Sequence, residues 1–146
     1  MIALIQRVTE ASVVIDAAVT ASIQAGMLAL IGVQRADTRQ SADRLAERLL
    51  GYRLFADEAG KMNLDVRASG GQILLVPQFT LAADTGKGRR PGFSTAATPE
   101  QAIELFNTLG SAVSGSGVPV ARGTFGADMK VSLVNDGPVT FWLESR

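Results

Sequence analysis

The spacing of apolar positions changes along this chain, and the changes mark its elements. Ile2 to Val8 and Ala11 to Ile15 are short β-rich runs separated by Thr9-Glu10, and they predict a hairpin or two adjacent strands. Val19 to Ile23 and Met27 to Val33 predict a second pair around Ala25-Gly26, with Gly26 supplying the turn. A sheet is therefore expected before any helix. From Asp37 the period becomes helical: Ala42, Leu45, Ala46, Leu49 and then Tyr52 or Arg53 form one stripe. Asp37-Thr38-Arg39-Gln40 reads as the helix start, with a carboxylate and an amide in capping-box arrangement. Arg39, Asp43, Glu47 and Arg48 fall mainly off the stripe and read as a solvated face.

Asp57 to Asn63 predicts a turn between two short strands, and Ser69-Gly70-Gly71 a flexible turn into an apolar strand, Ile73 to Val76. Pro77 cannot donate to a ladder, so regular pairing is expected to stop there. The second helix is signalled by Thr98 as N-cap, Pro99 at the first helical position and Gln101 to close a capping box. Its stripe is Ala102, Leu105, Phe106, Leu109 and Val113, and Gly115-Ser116-Gly117 ends it. It is expected to pack beside the first helix on the same sheet. Val118 to Arg122, Lys130 to Asn135 and Val139 to Leu143 predict three more strands. The pattern implies one α/β domain over residues 1–146, with two main helices covering a sheet.

Composition narrows the chemistry. With 47% hydrophobic residues the chain can bury an ordinary core, and its formal net charge of zero argues against gripping a nucleic-acid duplex by bulk electrostatics. Any nucleic-acid contact is expected to be local. The chain has no Cys and no His, which excludes disulfides, thiolate nucleophiles, His-based triads and the usual zinc sites. Carboxylate or lysine acid–base chemistry, a hard cation, or backbone amides acting with the substrate's own groups remain. Adjacent Asp57 and Glu58 lack the spaced oxygens of a calcium loop, so neither a metal nor another cofactor is expected. The first residues lack a basic segment followed by a long apolar stretch, and no run reaches membrane-spanning length; a soluble cytoplasmic protein is the expectation.

Three segments carry candidate chemistry. Gln78-Phe79-Thr80-Leu81, just past the central strand, offers an amide, an aromatic, a hydroxyl and a row of N–H groups, or simply a turn. Asp84 to Phe93 holds Lys87, Arg89 and Arg90 among glycines. It lacks Walker order, and reads either as a grip on one or two phosphates or as a mobile charged loop. Asn135-Asp136-Gly137-Pro138-Val139-Thr140 is strong turn chemistry, either a hairpin turn or a rigid turn projecting carbonyls into a cleft; its Gly-Pro bond can adopt the cis form.

Gln78-Phe79-Thr80-Leu81, then Gly123-Thr124-Phe125-Gly126-Ala127-Asp128-Met129, then Gly137-Pro138-Val139-Thr140, in this order and spacing, resemble the D-aminoacyl-tRNA deacylase family over essentially the whole chain. The resemblance implies a homodimer with a mixed, barrel-like sheet backed by helices. It implies hydrolysis of the ester joining a D-amino acid, or glycine, to the 3′-terminal adenosine of tRNA. Gln78, Phe79 and Thr80 would take the ester-side catalytic role. Gly137 and Pro138, as a cis pair entering the partner's pocket, would exclude L side chains. Phe125 and Met129 become candidates for the adenosine pocket, or core residues, and Lys87, Arg89 and Arg90 candidates for acceptor-end phosphates. An aminoacyl ester is already activated, so a placed water, oxyanion donors near Phe79 and Thr80, and the neighbouring ribose 2′-hydroxyl would suffice. Thr80 as a covalent nucleophile is the alternative, weakened by the lack of a recognisable base. Pro77 departs from the Ser that usually begins the first motif and resembles a branch with relaxed chiral selectivity. The rival readings are therefore a relaxed editing deacylase and a non-catalytic RNA-end binding module.

Overall fold

A computed structural model describes residues 1–145 of the chain. Its backbone is β1 (Ile2–Ile15), β2 (Ala18–Ile23), β3 (Gly26–Gly32), α1 (Arg39–Gly51), β4 (Phe55–Ala56), β5 (Met62–Leu64), α2 (Val66–Ser69), β6 (Gln72–Pro77), a single 3-10 turn (Phe79–Ala82), α3 (Pro99–Ser114), β7 (Val120–Arg122) and β8 (Lys130–Glu144). β1 organises the sheet. Its first half pairs antiparallel with β3, from Ile2↔Gly32 to Val8↔Gly26, and its second half with β2, from Ala11↔Ile23 to Ile15↔Ala18. β8 pairs antiparallel with β1 from Ile2↔Glu144 to Val14↔Lys130. β6 joins β3 in parallel and β7 joins β6 in parallel, giving a mixed six-stranded sheet that curls almost into a barrel, while β4 and β5 make a separate small ladder.

The continuous apolar run of β6 follows from its position between two apolar layers. Ile73 and Leu75 join the layer under the helices, with Ile5, Met27, Ile31, Leu45, Leu49, Leu105 and Leu109; Leu74 and Val76 face the other layer, with Val8, Val13 and Leu28. Both predicted main helices are present and pack against each other.

Several expectations are corrected. The two runs around Thr9-Glu10 are one strand: Val8 and Ala11 are buried with two exposed residues between, so the strand changes phase at a bulge, where the register with β8 shifts. The strands predicted on either side of Gly137-Pro138 are likewise one strand. Asn135 opposes Val8 and Thr140 opposes Gln6, so residues 136–139 loop outward past Arg7 instead of turning the chain back. Helix α1 is capped by Thr38, whose N–H donates to Ser41 Oγ at 3.1 Å, and it ends at Gly51 with Tyr52 extended. Asp37 is taken elsewhere, accepting from the buried Met1 ammonium at 2.5 Å and from Gln34 N–H at 2.7 Å. Thr98 caps α3 as expected, but the Gln101 side chain donates to the carbonyls of Arg35 and Asp37 rather than closing a box. Ser69-Gly70-Gly71 ends the unpredicted one-turn helix α2, which is N-capped by Asp65 and C-capped by Gly70.

Candidate functional site

Regular pairing of β6 stops where Pro77 predicts. Gln78 N–H makes a last bond to the Ile31 carbonyl, 2.7 Å, and the chain then winds into the 3-10 turn, whose bonds run from Leu81 N–H to Gln78 O and from Ala83 N–H to Thr80 O. The N–H groups of Phe79 and Thr80, at the start of this turn, have no acceptor within it. The Gln78 amide donates to Thr80 Oγ1, so the amide, the hydroxyl and these N–H groups are gathered at one strand end.

A cleft of about 480 Å³ opens beside that strand end. Pro77, Gln78 and Phe79 form one wall, Phe125 and Met129 another, and Pro99 at the start of α3 contributes a third side. The loop from Gly123 to Met129 is held in place because Gly123 N–H donates to Leu75 O at 2.8 Å. Gly123 lets the loop pack closely: a Cβ there would lie 2.9 Å from Met129 Sδ, near the flexible end of that side chain, and 3.3 Å from Pro77 Cδ. Asp128 is the one titratable side chain lining the cleft, and it is exposed and paired with Lys130 at 3.3 Å. The walls are thus almost neutral, suited to a flat, weakly polar ring, with hydrogen-bonding groups at the rim.

The remaining candidates fall outside this lining. Thr80 sits one residue beyond it on the 3-10 turn. Lys87, Arg89 and Arg90 occupy a loop whose base is fixed by paired bonds between Asp84 and Gly92, 2.7 and 2.9 Å. Gly137 and Pro138 do not line the cleft of their own chain. Their peptide is cis, and Gly137 has φ +140°. The bulge is held by Asn135 at its base and by Arg7 from the facing strand. Asn135 Oδ1 accepts from Val139 N–H at 2.9 Å, Asn135 Nδ2 donates to Thr140 Oγ1 at 3.0 Å, and Arg7 Nε donates to the Asp136 carbonyl at 3.0 Å. Arg7 Nη1 also donates to the Leu54 carbonyl at 2.9 Å, which ties the bulge to the helix side of the molecule.

Arg7 and Asn135 as supports of the bulge, and Phe93, were missed by sequence reasoning. Arg7 lies far from the bulge in the chain, and only the β1–β8 register brings them together. Phe93, directly after the cationic loop, sets its ring 5.2 Å from that of Phe79. Asp57 and Glu58 belong to no group able to hold a metal among the described residues. The Asp57 carboxylate instead holds its own turn: the Asn63 side chain and the Lys61 N–H, with a smaller contribution from Ala59 N–H, keep its pKa below the ordinary value.

The family model described as D-Tyr-tRNA(Tyr) deacylase matches residues 4–144. A protein of Alkalilimnicola ehrlichii named D-aminoacyl-tRNA deacylase is 60% identical over 146 residues, covering 100% of this chain and 97% of that one. A solved structure described as c-Myc DNA Unwinding Element Binding Protein superposes with a TM-score of 0.95 at 36% identity, covering 100% of this chain and 99% of the other. A second, described as a probable eukaryotic D-amino acid tRNA deacylase, shares the fold with a TM-score of 0.85 at 15% identity over 98% of each chain. By a match that spans almost its whole length, the chain belongs to the D-Tyr-tRNA(Tyr) deacylase family.

Proposed function

We propose that this chain hydrolyses the ester linking a D-amino acid, or glycine, to the terminal adenosine of tRNA. The observation that carries the proposal is the meeting of the Gln78–Thr80 strand end with a neutral cleft walled by Phe125 and Met129. The adenosine enters the cleft and its ester lies at the rim. Water attacks the ester carbonyl, the N–H groups of Phe79 and Thr80 stabilise the developing oxyanion, and the tetrahedral intermediate collapses to the free amino acid and the ribose hydroxyl. Gln78 and Thr80 order the polar side of the rim. The ribose 2′-hydroxyl next to the reacting carbon positions the water. An activated ester reacts well on positioning and electrostatics, so an acid–base side chain is unnecessary.

Chiral selection is assigned to Gly137 and Pro138 of a second copy. A backbone wall set against the amino acid's chiral centre rejects an L side chain whatever its chemistry, which suits a proofreading enzyme of broad range. The exposed bulge, absent from its own cleft, supports this dimeric arrangement. No helix among the described residues is long and apolar enough to cross a membrane, and a cytoplasmic site of work accords with a tRNA substrate.

Single-turnover deacylation of D-tyrosyl-, L-tyrosyl- and glycyl-tRNA without added metal tests the proposal. Loss of the D and glycyl esters with the L ester spared is the expected result. Comparable loss of the L ester would replace chiral exclusion with relaxed editing, a reading favoured by Pro77 in the cleft wall. Three intact esters with RNA still bound would leave only an RNA-end binding module.

A further inference from the structure

Two large aromatic rings stand in water beside the cleft. Phe79 is 55% exposed and Phe93 41% exposed, and their rings lie 5.2 Å apart at 44°. Phe79 lines the cleft and Phe93 does not, so the pair extends the aromatic surface outward from the cleft rim. The backbone around Phe93 is fixed on both sides: Gly92 pairs with Asp84, Thr95 Oγ1 donates to Ala82 O at 2.6 Å, and Arg35 N–H donates to Thr95 O at 2.9 Å. An apolar ring held open to solvent by a fixed backbone loses burial without gaining freedom. Lys87, Arg89 and Arg90, on the loop that ends at this ring, are exposed and make no ion pair with a described residue.

We propose that Phe93, resting on Phe79, is a stacking platform for the nucleobase immediately preceding the terminal adenosine, with the Lys87–Arg90 loop holding the adjoining phosphates. The proposal rests on the deacylase reading and deepens it. Stacked aromatics beside a cationic track are how proteins hold single-stranded nucleic acid without reading its sequence, since every base has a π-face. A neutral protein with these three cations, which make no ion pair with a described residue, next to an aromatic pair has the local form of that arrangement, and charge complementarity favours an RNA strand over a second apolar protein surface. The platform explains how one enzyme takes many aminoacylated tRNAs: the unpaired 3′ end is held through features all of them share.

The test compares KM for two D-tyrosyl esters, one on an RNA hairpin with a single-stranded 3′ overhang and one on adenosine alone. Phe93→Ala is expected to raise the ratio of the RNA KM to the adenosine KM about tenfold, the effect of removing one stacked base. Phe93→Tyr should restore the wild-type ratio. If Phe93→Ala does not fold, Phe93→Leu keeps apolar volume against Phe79 while removing the π-face, and the same rise is expected. Lys87→Glu with Arg90→Glu should flatten the salt dependence of the RNA KM, by roughly 0.7 in log–log slope for each phosphate no longer neutralised. An unchanged ratio, or an equal change on both substrates, would overturn the platform while the deacylase reading stands. A shift in the monomer–dimer equilibrium of Phe93→Ala, with the ratio unmoved, would likewise overturn it and give the ring to an interface between copies. Failure of the wild-type protein to cleave either ester would instead remove the deacylase reading and the platform with it.

Discussion

Gly137→Ala probes whether the bulge in β8 is a rigid object. A Cβ at this position would lie 2.6 Å from Val139 Cγ2, 3.0 Å from Val139 N and 3.2 Å from Arg7 Nη2. The first distance is about 1 Å inside a normal carbon–carbon contact of ~3.5–4.0 Å. Neither neighbour yields easily. Val139 packs on the core beneath the helices, and Arg7 is bonded to the carbonyls of both Leu54 and Asp136. Residue 137 also sits at φ +140°, where an L side chain costs about 1–3 kcal/mol. Overpacking adds about 1–3 kcal/mol, of which local relaxation recovers part, so a total loss of about 2–4 kcal/mol is expected. For a domain of this size that lowers Tm by about 6–12 °C.

Denaturant unfolding of Gly137→Ala, Val139→Ala and the double variant separates the two costs. Removing the Val139 methyls relieves the close contact but not the backbone strain, so the double variant should be more stable than additivity predicts, by about 1 kcal/mol or more. The D-to-L turnover ratio should fall in Gly137→Ala, because the bulge proposed to select chirality is displaced. Wild-type stability in Gly137→Ala, or strict additivity in the cycle, would refute the account of a bulge held by close contact.

Three further outcomes are expected. Asp37→Ala strands the buried Met1 ammonium and should cost about 3–5 kcal/mol, read from the denaturant midpoint at an unchanged m-value. Asp57 and Asp65 are held below the ordinary carboxylate range, Asp57 chiefly by the Asn63 side chain and Asp65 chiefly by the Ala68 N–H. Because their folded pKa lies below the unfolded value, the stability they contribute is present above about pH 4 and lost as pH falls through the folded value; Asp57→Asn and Asp65→Asn should therefore lose less Tm than wild type between pH 6 and pH 3. Thr80→Ala should slow D-ester turnover by roughly tenfold to a hundredfold, the scale of one polar contact near a reacting centre, with no pre-steady-state burst in wild type or variant; a burst in wild type that the substitution abolishes would mean an acyl-enzyme on Thr80.

The layering of this fold was legible because it rests on local rules. The stripes from Ala42 to Leu49 and from Ala102 to Val113 carry a 3.6 period that survives in the folded helices, and Pro77 marks the end of β6 within a residue. The errors lie where a distant partner overrides a local signal. Asp37 has the chemistry of a helix cap, but the Met1 ammonium is a stronger partner than a backbone N–H and leaves the cap to Thr38. Asn135-Asp136-Gly137 has the chemistry of a reversal, but β1 runs unbroken alongside and pairs with residues on both sides, so the turn residues are extruded as a bulge. The cleft was half legible. The motif around Gln78 and the loop carrying Phe125 and Met129 were each visible, but their meeting depends on the parallel β6–β7 pairing, which carries no short-range mark.

Division of labour between the cleft and its surroundings follows from where charge is placed. Inside, the walls are apolar or amide, and the one carboxylate at the edge, Asp128, is already committed to Lys130. A cation inside the cleft would hold the anionic product carboxylate more strongly than the neutral ester and would repel the amino acid's ammonium group. Placing Lys87, Arg89 and Arg90 on a loop outside the lining avoids that cost; in the proposed reading their attraction acts on phosphates that are the same before and after hydrolysis. In the same reading the rim is left to the N–H groups that begin the 3-10 turn, whose interaction would grow as the ester carbonyl becomes tetrahedral. Substitutions in the loop should accordingly act on KM, and displacements of the turn on kcat.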